Sequence, residues 1–107
     1  MKQMTEQHMI NALGGESMAN MRYRHFAVQA EKEGFTNAAR LFRAVADAEY
    51  IHKTLYENAK EAVDAGRDVE LGTVQVCDVG GYTLEGEAPD RCPVCNAKKE
   101  RFTAYPG

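Results

Sequence analysis

The sequence is 107 residues long and 44% hydrophobic, enough for one ordinary domain or for two small units that each need support beyond their own core. Its 13 Lys and Arg against 16 Asp and Glu leave a formal charge of -3, which excludes the basic field that gathers nucleic acid or anionic membrane. The first ten residues mix Lys2, Glu6, Gln7 and His8 with single apolar residues, and no stretch reaches membrane-spanning length, so a cytoplasmic protein is expected.

From about Thr5 to Glu33, apolar residues recur near the helical period at Met9, Ala12, Leu13, Ala19, Tyr23, Phe26, Ala27 and Ala30. Gly34 is placed to end this helix, while Gly14 and Gly15 weaken it locally and allow a kink or a later start. Thr36 or Asn37 is suited to cap a second helix, whose stripe runs Leu41, Val45, Ala48, Ile51, His52, Leu55, Ala59, Ala62 and Val63 before Gly66 stops it. Beyond Gly66 the texture changes to Val69, Leu71, Val74 and Val76 among glycines, then to a proline and cysteine cluster, the pattern of short strands and turns. The expected division is therefore 1–66, a helical hairpin, and 67–107, a small metal-knuckle unit.

Two helices cannot hide an apolar stripe on both partners, so the fold class expected is mainly α, with the hairpin pairing with a second copy into a four-helix bundle. The competing arrangement is a hairpin packed only on its own small unit. Glu49 and His52, three apart, point the same way on the second helix, into its apolar stripe. Glu16 lies on the inner face of the first helix with Ala12, Ala19 and Tyr23. If the chain reverses near Gly34 and Phe35, Glu16 stands 18 residues before the turn and His52 17 after it. At about 1.5 Å per residue their heights nearly coincide. A twofold pair then supplies four carboxylates and two imidazoles, whose charge two divalent cations neutralise. Tyr23, seven residues after Glu16, is nearly in register and suited to hydrogen-bond a metal-bound carboxylate, or else is an ordinary buried tyrosine.

All three cysteines fall between 77 and 95, and Cys92-Pro93-Val94-Cys95 has the spacing of a metal knuckle, with a Cys92–Cys95 disulfide or free thiols as the competing reading. Asn96 suits the left-handed residue that follows such a turn.

Gly15-Glu16-Ser17-Met18-Ala19-Asn20-Met21-Arg22-Tyr23, Glu33-Gly34-Phe35, Ala39-Arg40-Leu41-Phe42 and Ala48-Glu49-Tyr50-Ile51-His52 resemble the first two helices of the rubrerythrin family, within the ferritin-like superfamily. The run from Val76-Cys77-Asp78-Val79-Gly80-Gly81-Tyr82 through Cys92 and Cys95 to Phe102 resembles that family's C-terminal rubredoxin-like domain. The resemblance implies a non-haem di-iron centre that reduces hydrogen peroxide to water. Its ligands would be Glu16, Glu49 and His52, with Tyr23 beside it and electrons arriving from a reductase through the rubredoxin-like domain. Cys77, Cys92 and Cys95 would bind one Fe or Zn.

Three departures from the family matter. This sequence supplies two long helices where the family supplies four from one chain. Ala19 stands three residues after Glu16, where the family's third helix carries an additional glutamate, so a symmetric pair resembles a ferritin ferroxidase centre as much as a peroxidase. Gly80 stands where the family pattern has a cysteine. That leaves the fourth coordination place to water or an exogenous group, to Asp78 or another acid, or to an empty site. The alternatives to a peroxidase are therefore iron oxidation and handling, or a zinc-stabilised oligomerisation module.

Overall fold

Residues 4–107 are described in the structure, a computed structural model. The first three residues of the expected helical unit lie outside that range. The chain forms α1 (Met4–Lys32) and α2 (Thr36–Asp64), then β1 (Val74–Cys77), β2 (Thr83–Glu85), a single 3-10 turn at Lys99–Arg101 and β3 (Phe102–Tyr105).

Both helices end in the same way, and glycine is the reason. Gly34 and Gly66 adopt positive φ, +83° and +80°. At the first, the N–H of Gly34 bonds the Glu31 carbonyl and that of Phe35 bonds the Ala30 carbonyl. At the second, Gly66 bonds Val63 and Arg67 bonds Ala62. Each glycine thereby satisfies carbonyls that the last turn leaves open. The chain re-enters a helix at once, with Phe35 in the cap position and no side-chain cap, contrary to the expectation for Thr36 or Asn37. The turn is too tight to spare a residue, so Thr36 is already helical. α1 also runs unbroken through Gly14 and Gly15. The cost of those glycines is smaller than what the surrounding turns supply by packing on α2.

Every buried residue on the two helices is an alanine: Ala27 and Ala30 on α1, and Ala39, Ala46, Ala48, Ala59 and Ala62 on α2. Small side chains bring the backbones close enough for the Asn20 amide to donate to the Ala46 carbonyl at 2.7 Å. Tyr23, Phe26 and Phe42 stack nearer the turn, with centroids 5.5 to 6.3 Å apart. The larger members of the expected inner stripes are not all covered: Leu41 is 63% exposed and Phe26 46%. They are left bare because two helices make a single layer, and the molecule measures 51 × 32 × 14 Å.

The strands form an antiparallel sheet in the order β2-β1-β3, with Gln75 opposite Leu84 on one side and Ala104 on the other. Val69 and Leu71, expected to contribute strand, lie outside the sheet and line a cavity beside α2. Among the described residues no helix is long and apolar enough to cross a membrane.

Candidate metal centres

Two ligand clusters form, one on the helices and one in the small unit. Glu16 from α1 meets Glu49 and His52 from α2, each side chain about one-fifth to one-quarter exposed. His52 Nδ1 lies 3.4 Å from a Glu16 oxygen and 3.8 Å from a Glu49 oxygen. The other ring nitrogen is committed elsewhere. Nε2 is 2.7 Å from the Gly81 carbonyl oxygen and 3.1 Å from Thr83 Oγ1. A carbonyl only accepts, so Nε2 carries the proton, and Nδ1 is the nitrogen that faces the two carboxylates and can ligate a cation between them. Thr83 donates its own hydroxyl proton to the same carbonyl at 3.0 Å, leaving its oxygen free to accept from the ring.

One observation tests whether a cation fits. Glu16 Oε2 is buried with no hydrogen-bond partner, a costly state for a carboxylate oxygen. Donors bound at about 2.0–2.2 Å to one first-row divalent ion stand roughly 3 to 3.5 Å apart, and the shorter separation here falls in that range. The donor set is hard oxygen plus imidazole, which suits iron, zinc or manganese. The cluster opens on a cavity of about 600 Å³ with apolar walls including Leu55, Val69, Val76 and Leu84.

The second cluster is built by two knuckles with one hydrogen-bond pattern. In the first, the Cys77 N–H bonds the Tyr82 carbonyl, and the Gly81 N–H bonds the Cys77 carbonyl. In the second, Cys92 bonds Ala97 and Asn96 bonds Cys92 in the same way. Gly81 and Asn96 both take positive φ, +75° and +62°. The correspondence places Gly80 opposite Cys95, so the lost ligand belongs to an otherwise intact turn.

The three thiols gather closely, with Cys77 and Cys92 buried and Cys95 half-buried. Burial pushes the Cys77 thiol up, but the backbone N–H groups of Gly80 and Val79, helped by the neighbouring thiols, leave it below its ordinary value. Burial raises Cys95, and the neighbouring thiols add to this against the Ala97 N–H. A four-thiolate iron does not fit. Gly80 offers no donor, and the Asp78 carboxylate accepts a hydrogen bond from Thr103 at 2.8 Å instead of joining the cluster.

Of the residues singled out in the sequence, Glu16, Glu49 and His52 come together, as do Cys77, Cys92 and Cys95. The Tyr23 ring is engaged with Phe26 and Phe42. The sequence reading did not anticipate Gly81 and Thr83 as partners of His52, and no local pattern marks them.

Fold and clusters together define a ferritin-like helical pair carrying a carboxylate-histidine cluster, joined to a rubredoxin-like cysteine unit. The chain belongs to the rubrerythrin family: the Rubrerythrin profile matches residues 9–79, and that for the rubrerythrin rubredoxin-like domain matches 75–103. It is 36% identical over 77 residues to Rubrerythrin-2 of Clostridium acetobutylicum, covering 72% of this chain and 40% of that one. It is 42% identical over 83 residues to rubrerythrin of Nitratidesulfovibrio vulgaris, covering 75% and 44%. The solved structure of mixed-valence nigerythrin superposes with a TM-score of 0.77 at 30% identity, over 94% of this chain and 49% of that one. The chain thus spans less than half the length of these relatives.

Proposed function

We propose that the chain is a non-haem di-iron peroxidase, completed when two hairpins pair into one bundle and acting on hydrogen peroxide in a reducing cytoplasm. The observation that carries this is the convergence of Glu16, Glu49 and His52 Nδ1, with the Nε2 proton held by Gly81 and one Glu16 oxygen left unsatisfied. Two iron ions, each changing by one electron, would supply the two electrons that reduce peroxide to water.

Glu16 and Glu49 balance the charge of the ions, and two chains bring four carboxylates to two cations. His52 completes the donor set as a neutral ligand. Its Nε2 proton is engaged by Gly81 and Thr83, which keeps the ring from exchanging tautomers. The apolar cavity walls limit water around these polar groups. Tyr23, stacked on Phe42, lies about 10 Å along α1 from Glu16. Its role is to tune the centre. An external reductase supplies electrons, and the three cysteines, while reduced, hold one Fe or Zn.

Pairing is supported by size. The radius of gyration is 15.7 Å, where a compact chain of this length has about 13 Å. The accessible surface is 7348 Å², against about 6,000 Å² for a folded monomer of 11.9 kDa. The excess, roughly 1,400 Å², is of the order that a protein interface covers.

The deciding experiment loads the chain anaerobically with ferrous iron, then mixes it rapidly with peroxide and, separately, with oxygen. The expected result is about two irons per pair of chains and faster oxidation by peroxide. Oxidation by oxygen alone, followed by release of ferric iron, supports the iron-handling reading that Ala19 leaves open. No iron uptake with Glu49 and His52 intact removes both and leaves the oligomerisation module. Light scattering that finds an iron-replete monomer removes the pairing.

A further inference from the structure

The cysteine unit holds three thiols in a frame made for four, and the ground around Gly80 points to what they do instead. A Cβ built at Gly80 falls 3.0 Å from Cys95 Sγ and 3.1 Å from Cys95 Cβ. The Cys95 side chain therefore leans into space that any side chain at position 80 would claim. It faces Cys77 across the two knuckles, Sγ to Sγ 3.5 Å, about 1.5 Å longer than a disulfide bond.

We propose that Cys77 and Cys95 form a dithiol that hydrogen peroxide converts to a disulfide, so that this unit holds two electrons in sulfur in place of one in iron. Spacing alone favours Cys92 with Cys95; the fold adds Cys77 to the pair, with its sulfur 3.5 Å from that of Cys95 and all three within 4.8 Å of one another. Cys95 is the most accessible of the three. The thiolate of one of the pair attacks one peroxide oxygen, the O–O bond breaks, hydroxide leaves and a sulfenic acid forms. The other thiolate then attacks that sulfur, the S–S bond forms as the S–O bond breaks, and a second hydroxide leaves. The two thiol protons complete the balance: one peroxide and two thiols give one disulfide and two waters. Cys92 stays a thiol. Because disulfide sulfurs no longer serve as thiolate ligands, the disulfide and a bound ion exclude each other.

The inference rests on peroxide being the oxidant that the chain meets. The test treats the full chain with a few equivalents of peroxide, alkylates it under denaturing conditions and maps tryptic peptides by mass spectrometry. Two of the three thiols should disappear, any bound zinc should be released in step, and peptide 68–91 should be joined to 92–98 until dithiothreitol is added. Cys92→Ser should keep the link. Gly80→Ala, whose Cβ displaces Cys95, should slow its formation several-fold. A loop closed within 92–98, three intact thiols, or an equal rate in Gly80→Ala overturns the proposal. The same measurement on Glu49→Gln, which removes a helix ligand without touching the knuckle, separates the two readings: the link should form at unchanged yield there, whether or not the helices reduce peroxide.

Discussion

His52 is gripped from two sides by parts of the chain that lie far apart in sequence. Its Nε2 proton goes to Gly81 and Thr83, 29 and 31 residues downstream, while Nδ1 faces Glu16, 36 residues upstream. Removing the Thr83 hydroxyl leaves the Gly81 bond but loosens the ring, and groups that orient a metal-ligating histidine typically contribute about 10–100-fold to affinity. Thr83→Val should therefore weaken iron or zinc binding at the helices by about tenfold in a competition titration, with unchanged helical circular dichroism. The three ligands themselves were legible in the sequence because helical period and a single reversal fix their heights. Gly81 and Thr83 were not, since only docking of the small unit on α2 brings them to the ring.

At the scale of elements, the glycines that end the helices could be read from sequence, and so could the second knuckle, where Asn96 takes the left-handed turn expected of it. The cost of altering such an end is conformational. A Cβ at Gly34 would meet nothing within 4 Å, yet its φ of +83° is one that side chains disfavour. Gly34→Ala should lower stability by about 1 kcal/mol, read as a lower urea midpoint with an unchanged slope. The alanine seam was harder to foresee. Ala39 and Ala46 are fully buried but stand outside the stripe defined by larger residues, because close helix approach selects for smallness, which a hydrophobicity pattern underweights. Val69 and Leu71 carry β-branched or apolar character without strand partners, and their place at the cavity beside α2 is a tertiary outcome.

Across the whole molecule, the described residues bury no side chain larger than alanine or cysteine, so the isolated chain has little core of its own. Its stability should follow mass action. A tenfold dilution should lower the melting temperature measurably, and loading the helices with zinc should raise it. One contact joins the two units in a way that thermodynamics makes reciprocal. If docking the Gly81 carbonyl on Nε2 raises the affinity of Nδ1 for a cation by some factor, then cation binding must tighten the docking by that same factor. The knuckle is thus a reporter of the helices. A redox-inert ion seated between Glu16, Glu49 and His52 should slow amide hydrogen exchange around Gly81, a readout of occupancy in a unit that contributes no ligand to it.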